Sequence, residues 1–150
     1  MNNRHKHSRI GTCENTKKST LGGIAINTIH VGQFSDSFPP TIDGVAQAVK
    51  NYALYLNQLC QVTVATPAYK HVVDNYPFPV YRYQSLPLGE RMGYRAGNPF
   101  NPETLRDLRA KQFDIIHVHA PFASSMLARL INSKRRRVPI VLTYHTKYEF

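Results

Sequence analysis

Hydrophobic and polar positions along this chain switch repeatedly between two periods. A short apolar stretch over residues 29–34 runs into a polar, Pro-containing segment that closes on Asp43-Gly44. A long amphipathic run begins at once. Val45, Val49, Tyr52, Leu56 and Leu59 recur at intervals of four and three, so a helix over residues 44–59 gathers them on one face. Residues 61–66 are rich in β-branched side chains and stop at Pro67, which reads as a strand. Residues 80–83 form a further candidate strand. Residues 84–100 show little periodicity and hold several Gly and Pro, which predicts a long mobile loop. Asn101-Pro102-Glu103 then starts a helix, with Asn as N-cap, Pro at the first helical position and an acid in the first turn. Leu105 and Leu108 supply its inner face. Residues 114–119 read as a strand. Residues 124–133 read as a helix carrying Met126, Leu127, Leu130 and Ile131, and residues 138–144 as a strand.

Strands alternating with helices predict an α/β fold: a Rossmann-like open parallel sheet with helices on both faces. Residues 1–23 are polar, basic and without a period, so they read as a disordered basic arm ahead of a domain over residues 24–150. No internal repeat is visible. The sequence stops soon after a strand, where a covering helix is expected, which suggests a truncated chain.

Composition sharpens this only in places. A chain of 150 residues with 42% hydrophobic content suffices for one domain and its core. The formal charge of +10 suits anionic partners, and it is concentrated in the first twenty positions and in Lys134-Arg135-Arg136-Arg137. That run reads either as a solvated helix C-terminus or as an attraction to anionic lipid headgroups. The basic runs lack interleaved aromatics and no nucleic-acid motif appears, which argues against nucleic acid. Cys13 and Cys60 make no disulfide framework, and Cys60 reads as a reduced, partly buried thiol. No apolar run approaches the roughly 20 residues that span a bilayer, and no secretory signal pattern follows the basic start. These features point to the cytoplasm and leave peripheral contact with a membrane open.

Candidate chemistry gathers at three predicted strand ends, where open α/β sheets bind ligands. The first strand is followed by Asp36 and by Asp43-Gly44. Asp43 suits a helix N-cap, and Gly44 leaves its backbone open to a ligand. The unpaired N–H groups of that first helical turn suit a phosphate. An ordinary strand-to-helix connection is the plainer reading. The second end carries His117-Val118-His119-Ala120-Pro121; the two histidines share one face of a strand. His119 is placed to reach the crevice at its rim, whereas His117 reads as a buried histidine with a backbone partner. The third end carries Thr143-Tyr144-His145-Thr146. His-X-His with a third histidine also fits a zinc site, which keeps a metal-dependent hydrolase as an alternative. No Ser-His-Asp pattern, Walker A loop or G-x-G-x-x-G is present.

Three segments together resemble the N-terminal half of family 4 glycosyltransferases, which have the GT-B fold. They are residues 34–45 (Phe-Ser-Asp-Ser-Phe-Pro-Pro-Thr-Ile-Asp-Gly-Val), 114–122 (Asp-Ile-Ile-His-Val-His-Ala-Pro-Phe) and 139–148 (Pro-Ile-Val-Leu-Thr-Tyr-His-Thr-Lys-Tyr). The finer likeness is to bacterial enzymes that glycosylate diacylglycerol or related lipids. The resemblance implies a retaining transferase that moves a sugar from a nucleotide-sugar donor to a lipid or glycan acceptor, with no cofactor and no essential metal. It implies a GT-B enzyme whose C-terminal domain, with its Glu-x7-Glu motif, is missing here, so that the 150-residue chain alone is inactive or serves as a non-catalytic binding fragment. By the same resemblance Gly44, with Asp43, lies near the donor diphosphate. His119 contacts and orients the donor sugar as the catalytic residue. Asp36, His145 and Thr146 fall on the acceptor side. A cytoplasmic enzyme with peripheral contact on the inner face of the cell membrane would fit such a role.

Overall fold

The computed structural model describes residues 20–21, 24–25, 28–87, 95–132 and 137–145. Most of the expected basic arm lies outside them. Two short strands, β1 (Thr20–Leu21) and β2 (Ile24–Ala25), pair antiparallel at its end. The main sheet is built from β3 (His30–Phe34), β4 (Gln61–Pro67), β5 (Val80–Tyr83), β8 (Ile115–Val118) and β9 (Ile140–Leu142). Every pairing within it is parallel, and its order is β5-β4-β3-β8-β9. Chain order therefore reverses between β3 and β8, which makes their carboxyl ends a topological switch point.

The helices flank both faces of this sheet, because side chains alternate along each strand. Val62 and Val64 of β4 pack with Val49 and Ala53 of α1 (Gly44–Leu56) on one side. Phe34, Ala65, Ile116 and Val118 point the other way. They pack with Leu108 of α2 (Pro102–Ala110) and with Leu127, Ala128 and Ile131 of α3 (Ala123–Ile131). Full burial of Leu127 alone stabilises by about 2 kcal/mol. The five strands of the main sheet fall where the sequence places them, the last being shorter than expected, Ile140–Leu142 in place of 138–144.

The inner faces of the helices differ from expectation. α1 ends at Leu56, and Tyr52 and Leu59 are exposed. Its buried face is Ala46, Val49 and Ala53. Small side chains at two of these positions let the helix approach the sheet, and the larger tyrosine is left at the margin. In α3, Met126 is likewise exposed, and Ser124 and Ala128 are buried in its place. The α2 cap is as expected: Asn101 accepts from the Thr104 N–H at 3.0 Å.

Within the segment expected to be one long loop, two short strands form among the described residues. β6 (Ser85–Pro87) and β7 (Arg95–Gly97) pair antiparallel, with Ser85 opposite Gly97. Gly97 is required there for space, since a Cβ at this position would collide with the buried ring of Tyr83. Arg82 performs a second task unseen in the sequence. Its guanidinium binds Asp74 through Nε and Nη2, both at 2.8 Å, and donates to the Pro39 carbonyl at 2.6 Å. The loop between β3 and α1 is thereby tied to β5. Of the Lys134–Arg137 run only Arg137 is described, and it is exposed. Cys60 is a partly buried free thiol that donates to the Leu56 carbonyl.

Candidate functional site

Parallel hydrogen bonding continues one residue beyond the ends of β3, β8 and β9 and so fixes the three segments that matter. The His119 N–H donates to the Phe34 carbonyl at 2.9 Å, and the Thr143 N–H donates to the Val118 carbonyl at 2.9 Å. Gln33 lies opposite His117, which places Gln33, His117 and His119 on the face that α1 covers. A cavity of about 860 Å³ opens at these carboxyl ends. Asp36, Asp43, Gly44, His119 and His145 all line it, together with Arg95 and Tyr144. Five of the six residues selected from the sequence are thus brought to one cavity. Thr146 lies outside the described residues.

Asp43 is the N-cap of α1. Its Oδ1 accepts from the Ala46 N–H at 2.7 Å, and its Oδ2 accepts from the Ser37 hydroxyl at 2.5 Å. Gly44 follows as the first helical residue, exposed, and a Cβ built there meets nothing within 4 Å. The first turn of a 13-residue helix therefore reaches the cavity at an exposed glycine, its Ala46 N–H already bonded to Asp43. Its amide groups and partial positive charge suit an anion.

Asp36 caps a helix to which it is not attached. Phe122, at the N-cap of α3, gives no side-chain cap. Asp36 takes over across the chain, accepting from the Ser124 N–H at 3.0 Å and the Ser124 hydroxyl at 2.7 Å. Burial pushes its carboxyl above the usual range, and the Ser124 bonds oppose that shift. We expect Asp36→Ala to lower stability by about 1 kcal/mol, the usual weight of a cap. Asp36→Asn keeps an acceptor without the buried charge and is expected to retain most of that stability. Urea unfolding of the two variants checks this; equal losses in both would show that capping is not what Asp36 contributes.

His119 is only 2% exposed, buried in the cavity wall instead of standing at its rim. Its Nε2 lies 2.5 Å from Gln33 Oε1, and its Nδ1 lies 2.9 Å from His145 Nε2. Burial, then the neighbouring His117 and His145, lower its pKa to about 3, so the ring is neutral at ordinary pH. His117 is half-buried with its pKa also lowered, chiefly by burial. Its partner is the Thr143 hydroxyl at 2.7 Å, a side chain and not the backbone group expected. Tyr52 packs on both rings, with centroids 5.4 Å from each. The tyrosine that left the helix core thus serves the site.

These contacts direct the ring nitrogens at Gln33, Thr143 and one another. Among the described residues no group of three His, Cys, Asp or Glu side chains is arranged to hold a metal ion. Gln33 was missed in the sequence, although an amide inside an apolar strand is a visible interruption. Arg95 was missed because its segment showed no pattern. It is held by Ser85, to whose hydroxyl its Nε donates at 2.7 Å and to whose carbonyl its Nη2 donates at 2.8 Å. Among the described residues no helix is long and apolar enough to cross a membrane.

The chain is 31% identical over 125 residues to the alpha-monoglucosyldiacylglycerol synthase of Acholeplasma laidlawii. It is 28% identical over 126 residues to the enzyme of the same name from Streptococcus pneumoniae (strain ATCC BAA-255 / R6). Each alignment takes in 81% of this chain but only 31% and 27% of the respective relative, so the chain spans less than a third of their length. No solved structure matches it significantly. Residues 42–150, which hold α1, the histidine strand and the last polar strand end, match the model of Glycosyltransferase Family 4, and the chain belongs to that family.

Proposed function

We propose that the protein takes part in transferring a sugar, with retention of configuration, from a nucleotide-activated donor to a lipid or glycan acceptor. Diacylglycerol is the acceptor class suggested by the names of the two relatives. The observation that carries this reading is the cavity at the switch point. There the first turn of α1 at Gly44 and the His119–His145 pair face one space.

In this reading the donor diphosphate rests against the Gly44 turn, with Asp43 holding that turn in shape. His119 orients the donor sugar, and the acceptor approaches from the side of Asp36, His145 and Thr146. The acceptor oxygen bonds to the anomeric carbon as the bond to the diphosphate breaks. The acceptor proton passes to the departing diphosphate oxygen, on the same face. A site of this kind works by positioning the two substrates and stabilising departing charge. The reading places the enzyme in the cytoplasm, in peripheral contact with anionic lipid on the inner membrane face. Its basic sequence run 134–137 suits such a surface.

The test is transfer from radiolabelled nucleotide sugars to vesicles containing diacylglycerol, using the protein expressed from its own gene. Labelled glycolipid whose new linkage keeps the donor's anomeric configuration is the expected product. Inverted linkage would overturn the retaining mechanism. Absence of any labelled product across the common nucleotide sugars and lipid acceptors would count against the transferase reading itself.

A further inference from the structure

Gln33 sits at the centre of the sheet, 0% exposed, and the mechanism above gives it no task. We propose that Gln33 is a positioning residue that sets the direction of the hydrogen-bond chain Gln33–His119–His145, so that His145 offers its Nδ1 lone pair to a hydroxyl group in the cavity. The hydroxyl ligand rests on the transferase reading; the direction of the chain does not.

The direction follows from what each atom can do. Gln33 Oε1 only accepts, so His119 Nε2, at 2.5 Å, must carry the hydrogen. A neutral imidazole has one N–H, which leaves His119 Nδ1 as an acceptor. Its partner at 2.9 Å, His145 Nε2, must then donate. In the neutral ring that fixes the tautomer of His145 and leaves its Nδ1 with the lone pair. His145 is exposed and lines the cavity, and among the described residues no partner of its Nδ1 is found. A residue buried in the sheet thereby decides whether the cavity wall presents an acceptor or a donor.

The surroundings hold this arrangement in place. His117 is tied to Thr143 and lies with its ring centroid 4.0 Å from that of His119. Tyr52 packs against both of these rings. The His119 and His145 rings lie edge to edge, with centroids 5.2 Å apart and planes 16° from parallel, as a bond between ring nitrogens in the plane of both requires. Among the described residues Gln33 Nε2 has no hydrogen-bond partner. The amide is therefore held through its oxygen alone, and turning it over would reverse every bond to His145. The polarity of the chain is a property of one amide.

The experiment is tautomer-resolved nitrogen NMR of the imidazole rings at pH 7 in the full chain without ligand. The comparison is between wild type, Gln33→Glu and Gln33→Leu, with the ring signals assigned through His119→Gln and His145→Asn. Wild type is expected to show His119 and His145 each as a single Nε2–H tautomer. Gln33→Glu presents a group of the same shape that accepts when ionised and is expected to keep both. Gln33→Leu removes the acceptor and is expected to give mixed tautomers in both rings. An Nδ1–H tautomer of His119 in wild type would overturn the proposal, as would unchanged single tautomers in a folded Gln33→Leu protein. The wild-type spectrum decides the direction even where a variant does not fold. Failure of sugar transfer would leave this result standing, so the two readings fail separately.

Discussion

His119→Ala is expected to lower sugar transfer about a hundredfold, the scale of losing one preorganised polar contact at a site of developing charge. It should also lower the melting temperature. The histidine is buried, and its removal strips Gln33 Oε1 of its partner when Gln33 Nε2 already has none among the described residues. Leaving a buried polar group unpaired costs about 1–3 kcal/mol. The lost ring adds a void beside Tyr52 and His117. Activity and stability are separated by His119→Gln, whose terminal amide can donate toward Gln33 without restoring the imidazole ring that bonds His145. That variant should recover much of the lost stability and little of the lost transfer. Steady-state kinetics and thermal unfolding of both variants provide the check. Wild-type turnover in a folded His119→Ala protein would remove His119 from the site.

What could be read in the sequence, and what could not, divides along the range of the interactions. Asp43 and Asn101 announce their helices because a cap bonds three residues ahead, inside one short segment. Strands β3, β4 and β8 stand out because one or both of their faces are buried against a helix layer. The β6–β7 pair was hidden, since two three-residue segments show no alternation and Gly97 matters only through Tyr83, far back in the chain. The inner face of α1 was misjudged for a different reason. Periodicity gives Tyr52 the weight of a core residue, whereas close packing on a sheet selects Ala46 and Ala53.

The site divides in the same way. Strand ends and a glycine after an N-cap identify where ligands approach, and five chosen residues do meet at one cavity. Which atom bonds which was not legible. Asp36 meets Ser124 across 88 positions, and Gln33 meets His119 across 86. Such partners are chosen by sheet register, and register is a tertiary fact. The consequence for Asp36 is direct: its carboxylate is engaged in holding α3, so any part it takes toward an acceptor comes in addition to that structural role.

Gly44→Val is expected to weaken binding of a nucleoside diphosphate at least about tenfold, or roughly 1.4 kcal/mol, while leaving the fold unchanged. The two halves of this expectation have separate grounds. A Cβ at Gly44 meets no atom of the chain within 4 Å, so the variant has room. Valine is also a better helix former than glycine, and it restricts the unfolded chain more, so stability should hold or rise slightly. The open space around Gly44 is part of the cavity itself. A diphosphate that takes hydrogen bonds from the first turn of α1 must bring its oxygens close to that backbone, where branched methyl groups would stand. Gly44→Ala adds a single carbon and should fall between the two. Isothermal titration of the full chain with nucleoside diphosphates, alongside urea unfolding, measures both effects. Graded loss of affinity from Gly to Ala to Val at constant stability would support the Gly44 turn as the diphosphate seat. Equal affinity in all three proteins would place the diphosphate elsewhere.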